Sequence, residues 1–446
     1  MNSTIKYLPF VFAGLFAIQT SNAQQKLSLN DAVTLAVEHN PEIEASNLEI
    51  EKSKQQKIIS RSLFLPSVTA SAQANHYFKL NPFFGFGEAA PEGGKIPYGR
   101  FGGEDQFAAL LSAVQPLYNP QAFPSIRHSR LKEEESRLEL NATRVSTLSA
   151  VKQTYLQILV LNERIKLQRE SINRNQRVLK DARSLFIQGK GLRVDTLRAY
   201  TSVKNLEPDL LRLNYAIETS KLQLKALIGI DSVQDIVLSD SLFLPDPGTI
   251  PEEEEVYNAA KNNNPSYRLL NLQEQLNEQQ VSIASAARLP VVSAVGQYQL
   301  QSQTNNFEYG NAHYPSASFV GLQLSVPLFT GLSNQAKVKQ AHITKEQTAV
   351  RSKYAYEQLR SSVHQVVADS HESLARLQTT VDVKETAQLS YNIVQYRYKR
   401  GVSSRLELTD AELELTTAQS NYLEAVYDYL SARIALQRIM GKTDDR

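Results

Sequence analysis

The chain has 446 residues, 42% of them hydrophobic, a formal net charge of +2 and no cysteine. This length predicts two or three domains, and the lack of cysteine excludes disulfides, thiolate metal sites and an N-terminal lipid-modified cysteine. Lys and Arg are interspersed with Asp and Glu, so the overall charge gives no reason to expect nucleic acid as a partner.

Residues 1–23 predict a secretory signal peptide. Lys6 supplies the positive flank, residues 8–18 form an apolar run too short to span a bilayer, and Ser21-Asn22-Ala23 offers small residues for cleavage. The mature chain is therefore expected to begin at Gln24. No later segment approaches twenty continuous apolar residues, so no membrane helix is expected after it.

The rest of the sequence contains an internal repeat of one unit. Asn40-Pro41 recurs as Asn264-Pro265 and Leu65-Pro66 as Leu289-Pro290, both displaced by 224 positions. Past the next loop the displacement contracts to 211 or 212, because the first copy carries 13 extra loop residues. The repeat predicts one unit at 24–230 and a second at 252–441, joined by a linker at 231–251 and followed by a tail at 442–446.

Each copy predicts the same order of elements. A short helix, 29–38 or 252–261, ends at an Asn-Pro, and a second helix ends at a Leu-Pro. Alternating polar and apolar residues, with repeat symmetry for the second strand, then predict strands at about 66–80, 105–117, 290–303 and 316–328. Such alternation fits a strand between lipid and water, and it also fits a half-buried soluble strand.

Very long helices follow each pair of strands. Segments poor in glycine and proline predict them at about 121–187, 192–229, 332–399 and 404–440. The longest would extend for ~100 Å, which no globular domain can bury. A heptad seam on the returning helices predicts antiparallel pairing within each hairpin: Leu408, Leu415, Tyr422, Tyr429 and Leu436, with Ala411, Ala418, Ala425, Ala432 and Ile439. Pro208 has no counterpart in the second copy and predicts a kink in the first hairpin only.

Aromatic residues gather near the expected strand ends. They fit an aromatic girdle at a lipid interface and equally well ordinary loop packing: Tyr77, Phe78, Phe83, Phe84, Tyr314 and Phe319. The first loop, which runs through Asn81 to Gly103, is rich in glycine, proline and aromatic residues, as exposed loops of outer-membrane barrels often are.

Catalytic chemistry is not indicated. His364 and His371 lie on one helix face, and Asp369-Ser370-His371 has the residue types of a triad, but neighbours on one helix cannot converge as nucleophile and base. The acidic run 252–255 is expected to complement the positive end of a helix. The chain is therefore not expected to be an enzyme, and neither a metal site nor a cofactor is indicated.

The duplicated order of elements, the signal peptide and the segment YKRGVSSRLELTDA at 398–411 resemble the TolC-like outer membrane efflux proteins over essentially the whole mature chain. The resemblance implies an α+β membrane protein of duplicated helix, β-hairpin and long α-hairpin units. It further implies a homotrimer with a twelve-stranded outer-membrane β-barrel, continued by a long periplasmic α-helical barrel. Four strands cannot close a barrel alone, which agrees with a barrel shared between chains.

The resemblance also implies a function. The trimer would be a passive duct in the outer membrane of a Gram-negative bacterium, in contact with outer membrane lipid. A periplasmic adaptor (membrane fusion) protein would join it to an inner-membrane pump of the proton-driven or ATP-driven type. Small-molecule or drug efflux is the expected role, and type I protein or peptide secretion is the alternative. A periplasmic structural coiled-coil or adaptor protein is a third reading, but adaptors have one hairpin with compact β-domains, whereas this chain has two hairpins.

The turns between the paired long helices are the expected site. Glycine tolerates the backbone angles that reverse a helix, so these turns are predicted to be the periplasmic tips that contact the adaptor: Gly189, Gly191, Leu192, Gly401, Val402 and Ser403. By resemblance, Asp195, Glu407 and Asp410 form negative rings at a periplasmic constriction, and Tyr398 matches a tyrosine that holds the channel closed. The alternative is that these carboxylates only stabilise helix N-termini. Ser403 stands where the family has a locking arginine, so gating is expected to rest on other contacts here.

Overall fold

The computed structural model describes residues 25–84, 98–233, 235–244, 248–306 and 309–442. Its helices are α1 Leu29–His39, α2 Pro41–Ser62, α3 Ala122–Ile187, α4 Arg193–Ile228, α5 Glu253–Asn263, α6 Pro265–Ala286, α7 Ser333–Lys399 and α8 Arg405–Ile439. Its strands are β1 Gln25–Leu27, β2 Ser67–His76, β3 Pro82–Phe84, β4 Tyr98–Arg100, β5 Asp105–Tyr118, β6 Ile236–Leu238, β7 Val291–Thr304 and β8 Ser316–Ser325. The expected signal peptide, the centre of the first loop and most of the C-terminal tail lie outside the described residues.

The order of elements repeats as the sequence predicts, with helix, helix, strand pair and long helix pair in each copy. None of the helices in the described ranges combines the length and the apolar character needed to cross a membrane. The chain divides into two compact units. One takes its described residues from Met1–Pro41, Ser146–Ile250 and Ala368–Leu436, and the other from Glu42–Val145, Pro251–Val367 and Gln437–Arg446.

The second unit holds a four-stranded antiparallel sheet in the order β2-β5-β7-β8. The two copies meet at β5 and β7, which pair from Asp105 opposite Thr304 to Tyr118 opposite Val292. In β8, alternate apolar side chains are strongly exposed, and Val320 keeps 88% of its surface. In this unit, helices α2 and α6 and the part of α3 up to Val145 are held by small apolar clusters around Leu138 and Leu140.

Two strands are shorter than their sequence patterns predict. β2 ends at His76 and not near residue 80, because the ladder closes there: the Tyr77 amide donates to the Glu104 carbonyl at 2.7 Å, just outside β5. β8 ends at Ser325 and not near residue 328, because Pro327 has no amide to continue pairing. Beyond β2, the short strands β3 and β4 pair, and Phe83 lies edge-on to Phe101 with ring centroids 6.4 Å apart.

The first unit is built around the heptad seam. The predicted seam of α8 is confirmed, since most of its positions are buried: Leu408, Ala411, Leu415, Ala418, Ala425, Tyr429 and Leu436. In α4 the equivalent residues Val203, Ile217 and Leu224 are buried as well. Helix α4 runs continuously through Pro208.

A second core of the first unit joins α1, α3 and α4 to the parallel pair β1–β6. Tyr155 is almost fully buried there, and its hydroxyl lies 2.9 Å from both the Leu27 carbonyl and the Asp240 carboxylate. Burial raises the pKa of the Tyr155 hydroxyl above its ordinary value, so this group stays protonated and can donate. The N-terminal strand is therefore tied to the segment between the two repeats.

Candidate functional site at the two helical turns

Both long hairpins reverse direction through the same backbone motif. In the first, Gly189 has φ +70°, its amide donates to the Phe186 carbonyl at 3.0 Å, and the Lys190 amide donates to the Leu185 carbonyl at 2.9 Å. In the second, Gly401 has φ +73°, and the amides of residues 401 and 402 donate to the carbonyls of residues 398 and 397 at 2.9 and 3.0 Å. These are Schellman motifs, which need a left-handed residue after the helix, so glycine is favoured at both positions.

The helices that follow the turns start differently. In α8, the Ser404 hydroxyl accepts from the Glu407 amide at 3.2 Å, and the Ser403 hydroxyl donates to the Glu407 carboxylate at 2.6 Å. The hydrogen bond from Ser403 lowers the pKa of Glu407 below its ordinary value, so this side chain stays ionised. In α4, Leu192 occupies the cap position and no side chain caps the helix. Ser403 thus organises the start of α8, and only 9% of its surface is exposed.

The carboxylates expected at a constriction occupy different environments. Glu407 and Asp410 are exposed and lie three residues apart on α8, so they share a face of that helix. Asp195 is half-buried in the first turn of α4. The contact between Glu407 and Ser403 is a helix-start interaction, as the alternative interpretation requires, while Asp410 forms no ion pair in the described part of the chain.

Tyr398 lies between the hairpins. It packs against the cluster formed by Tyr391, Leu408, Ala411 and Leu415, and it lines a cavity of ≈ 620 Å³. Leu185 beside the first turn and Gly401 of the second turn line the same cavity, so the two turns are neighbours. Of the predicted tip residues, Leu192 and Val402 are each 67% exposed, whereas Ser403 is buried.

A buried ion pair next to this cavity is not indicated by the sequence. The Arg174 Nε on α3 donates to both carboxylate oxygens of Glu412 on α8, at 2.7 and 2.9 Å, and the Ser171 hydroxyl donates to the same carboxylate at 3.2 Å. The Arg174 guanidinium also lies 5.9 Å from the ring centroid of Tyr391. Burial raises the pKa of Glu412 despite these donors. The pair ties the first hairpin to the second.

The position of Glu412 offers a partial signal. It follows Ala411 in the heptad seam, so it lies at the edge of the buried face. Its partner is 238 residues away on another helix, and no local pattern predicts that contact. The histidines noted in the sequence play no such part: His364 is exposed and pairs with Glu253 at 2.9 Å.

Comparison with known proteins places this arrangement in a family. The family described as "Outer membrane efflux protein" matches residues 32–230 and 256–442, which covers both copies of the repeat. The alkaline protease secretion protein AprF of Pseudomonas aeruginosa is 22% identical over 450 residues, spanning 99% of this chain and 90% of AprF. The outer membrane protein TolC of Vibrio cholerae is 20% identical over 443 residues, spanning 99% of this chain and 96% of TolC.

Solved structures show the same fold. The CmeC outer membrane channel of Campylobacter jejuni superposes with a TM-score of 0.75 at 17% identity, covering 94% of this chain and 87% of CmeC. The resemblance stated from the sequence is confirmed. The chain belongs to the outer membrane efflux protein family and is an outer-membrane exit duct of an export system in a Gram-negative bacterium.

Proposed function

We propose that three copies of this chain form one channel. The observation that carries the proposal is the sheet order β2-β5-β7-β8, in which, among the described strands, β2 and β8 each pair on one side only. Four strands are too few to close a barrel, and open edges in a membrane leave backbone groups unsatisfied. Pairing β8 of one chain with β2 of the next satisfies both edges and gives twelve strands around a threefold axis.

The outward apolar residues of β8 support contact with outer membrane lipid. Val320, Leu322 and Leu324 alternate along the strand and are all exposed in the single chain. Apolar side chains at every second position suit a strand with lipid on one face. The aromatic residues near the strand ends would then lie at the interfaces of the membrane.

The helical turns are proposed to lie at the periplasmic end and to contact an adaptor protein, which couples the duct to a proton-driven or ATP-driven pump. Gly189, Gly191 and Leu192 in one turn and Gly401, Val402 and Ser403 in the other form the contact surface. The exposure of Gly189, Leu192, Gly401 and Val402 supports this role, and Ser403, which is buried, contributes by shaping the start of α8.

The same end is proposed to carry the constriction. Threefold repetition of Glu407 and Asp410 brings six carboxylates around the entrance, with Asp195 as a further contributor. Tyr398, which lies in the cavity between the hairpins, is proposed to hold the two hairpins together in the closed channel.

The cargo has two candidates. Small molecules come first, in keeping with the efflux function after which the family is named. Secreted protein is the second candidate, because the name of AprF assigns that protein to protease secretion. Deleting the gene distinguishes the two candidate cargoes. Loss of drug or dye efflux supports small molecules, and loss of a secreted protein from the culture medium supports protein secretion.

Assembly is tested on detergent-extracted protein. Chemical cross-linking should give a trimer that stays in the membrane fraction after an alkaline wash and that conducts ions in planar bilayers. A monomer that conducts alone would contradict the shared barrel. Docking is tested in cells, where cysteines at Val402 and Ser403 should cross-link to the adaptor encoded beside this gene. If these cysteines are labelled only by reagents added outside the cell, the proposed topology is inverted.

A further inference from the structure

The two faces of the four-stranded sheet differ in chemistry. On one face most side chains are apolar, and they include Val320, Leu322 and Leu324 of β8. On the other face, none of the side chains along the four described strands is charged, although 21% of the whole chain is Asp, Glu, Lys or Arg. In the proposed trimer the apolar face meets lipid, so the uncharged polar face lines the lumen.

Carboxamides are concentrated at the loop end of this uncharged face. Asn75 of β2 pairs with Gln106 of β5, and Gln106 pairs with Gln303 of β7, so three amides lie in one row across the sheet. The next two rows of the same face contribute three more glutamines. We call these six residues the amide collar: Gln73, Asn75, Gln106, Gln299, Gln301 and Gln303.

The collar keeps hydrogen-bonding capacity for a ligand. Gln297 Nε2 donates to Gln299 Oε1 at 3.4 Å, and Gln299 Nε2 donates to Gln301 Oε1 at 3.5 Å. A carboxamide has two N–H donors and two acceptor lone pairs, so Gln299 retains one of each. Both bonds are longer than the usual range, so a ligand can replace them at little cost.

Ionisable groups beside the collar lie at its rim or on the other face. His76 and Asp105 are the only acidic or basic residues in the four strands, and the sheet register places both on the apolar face. They contact each other, with His76 Nδ1 2.7 Å from Asp105 Oδ1. Glu104, which directly precedes β5, is exposed. The collar itself is therefore neutral, and Glu104 is the charge whose influence a test must measure.

A neutral wall of donors and acceptors favours one class of molecule. It offers no counter-charge to an ion, and an apolar molecule would displace water from the amides without replacing its hydrogen bonds. A barrel of about eight strands is filled by its own side chains and one of about sixteen holds a wide channel, so a solute inside twelve strands passes close to the wall. Hydroxyl groups both donate and accept, so a molecule dense in them matches the wall.

We infer that the amide collar binds neutral polyhydroxylated molecules, namely oligosaccharides. The inference rests on the proposed function, because the trimeric barrel places this face in the lumen. It adds a preference for one class of solute to a duct that is otherwise described only by its shape. Exported cargo and saccharides outside the cell share this chemistry, and the experiment distinguishes the two sources.

An oligosaccharide fits this face better than a polypeptide. Phe319 of β8 pairs with Gln297 and is 54% exposed, so an aromatic ring lies beside the amides on the lumen side. A sugar ring has C–H groups on its face and hydroxyls at its edge, so it can contact an aromatic ring and amides together. A polypeptide also has donors and acceptors, but its charged side chains find no partner here. A neutral peptide is therefore one of the probes.

Binding is measured on the full-length trimer immobilised in detergent. Maltohexaose should be retained with a dissociation constant of about 1 mM, and polyethylene glycol of equal size, which has only acceptors, should bind about tenfold more weakly. High salt should not change the retention of maltohexaose, because no ion pair is involved. Equal retention of maltohexaose and polyethylene glycol overturns the inference, and so does equal retention of an uncharged Gly-Ser peptide of similar size.

Alanine variants locate the binding site. Gln299→Ala combined with Gln301→Ala should weaken maltohexaose binding about tenfold. Leu300→Ala is the matched control, because Leu300 lies between the two glutamines on β7 with its side chain on the opposite face. Glu104→Gln is the second control and removes the charge at the rim. Both controls should bind like the wild type, and unchanged binding in the double variant contradicts the assignment to the collar.

Planar bilayers distinguish the two sources of ligand. Maltohexaose that reduces the conductance only from the side of the strand loops acts as an external ligand of the collar. Reduction from both sides means that the saccharide also passes through the helical part, as cargo must. Either result supports the collar as a binding site, whereas an unchanged conductance with maltohexaose on both sides contradicts it.

Cysteine accessibility separates this inference from the proposed barrel. The chain has no cysteine, so single introduced thiols report their surroundings without background. In outer-membrane vesicles, Gln299→Cys and Gln301→Cys should react with a water-soluble thiol reagent, and Leu300→Cys should not. Equal reactivity of all three contradicts the lumen placement and the proposed barrel with it. If the expected pattern holds but maltohexaose does not bind, the barrel stands and the saccharide preference is refuted.

Discussion

The side-chain amide of Asn40 donates a hydrogen bond of 2.7 Å to the backbone carbonyl of Leu227. The second copy repeats the contact, since the Asn264 amide donates to the Ile439 carbonyl at 3.0 Å. Each asparagine opens an Asn-Pro helix start and satisfies a carbonyl that the end of a returning long helix leaves unpaired. The repeated Asn-Pro motif therefore makes the same contact with the end of the returning long helix in each copy.

Gly229 and Gly441 follow these two helix ends for a steric reason, because a Cβ on either would clash with the backbone of the Asn-Pro segment or the residue before it. Gly229 and Gly401 have nearly the same φ, +70° and +73°, but a Cβ on Gly229 would lie 2.0 Å from the His39 carbonyl oxygen, whereas a Cβ on Gly401 meets open space. Gly401→Ala should thus cost only the left-handed penalty, about 1 kcal/mol. Gly229→Ala should cost at least twice that amount, about 2–4 kcal/mol, because the backbone must also shift. Thermal unfolding followed by circular dichroism compares the two, and equal losses would contradict the steric argument.

The Asn40 contact is itself testable. Asn40→Ala leaves the Leu227 carbonyl buried without this donor and should lower the free energy of unfolding by about 1–3 kcal/mol. Asn30→Ala is the control, because Asn30 is exposed on the neighbouring helix α1 and its side chain makes no hydrogen bond in the described ranges. Denaturant titration of both variants should show a loss for Asn40→Ala only. A similar loss of stability in both variants would mean that substituting any asparagine near α1 destabilises the protein, and that the hydrogen bond to Leu227 is not the cause.

Much of the fold follows from local sequence. The repeat, the heptad seam and the prolines that end helices are local signals, and they placed the long helices and the strands close to their observed positions. Gly189 and Gly401 were predicted to reverse the chain, and each has the left-handed conformation that this requires. Such features depend on backbone geometry and on burial of one helix face, both of which leave a periodic trace in the sequence.

Long-range contacts leave no such trace. The pairing of β5 with β7 joins the two copies across nearly 200 residues, and the ion pair of Arg174 with Glu412 spans 238 residues. In the turn, the sequence predicts Ser403 as a residue of the adaptor-contacting tip and as the replacement of a locking arginine. The structure shows it buried and donating to Glu407, a role set by the local geometry of the α8 start.

The ion pair between the hairpins gives a third prediction. The side chains of Arg174 and Glu412 are only 17% and 11% exposed, so removing one partner leaves the other charge buried without a counter-charge. Arg174→Gln should destabilise the protein by about 3 kcal/mol, since it leaves Glu412 buried without its cation. The double variant Arg174→Leu with Glu412→Leu should recover most of that loss. A double-mutant cycle measures the coupling, and simple additivity of the single effects would contradict it.

The pH dependence of the same pair follows from the raised pKa of Glu412. A carboxyl whose pKa is higher in the folded than in the unfolded protein stabilises the fold only in acid, and this contribution is lost as the pH rises through the two values. Glu412→Gln removes that contribution. The variant should therefore gain stability relative to the wild type as the pH is raised from mildly acidic to neutral, measured as the difference in melting temperature. A constant difference over that window would contradict the assignment.

The carboxylates near the second turn give the last prediction. Asp410 is exposed and forms no ion pair in the described chain, whereas Glu407 is bound by Ser403 and feels the positive charge of Arg397. If both line the entrance, their field attracts cations, and the purified channel should prefer them. Asp410→Asn should then shift the reversal potential under a salt gradient towards the value of a less cation-selective channel. Glu407→Gln should shift it less, because Arg397 already offsets part of the Glu407 charge.

The controls separate selectivity from helix stability. Ser403→Ala keeps every charge but removes the hydrogen bond to Glu407, so it should raise the pKa of Glu407 towards its ordinary value and leave the selectivity at neutral pH unchanged. Glu407→Gln keeps an acceptor for the Ser403 hydroxyl, so trimer assembly should be unaffected while the charge is lost. An effect on helix stability alone predicts the opposite pattern, with Ser403→Ala loosening the start of α8 and neither carboxylate variant changing the reversal potential. An unchanged reversal potential in the Asp410→Asn, Glu407→Gln double variant would therefore assign both residues to the start of α8 and remove them from the conducting path.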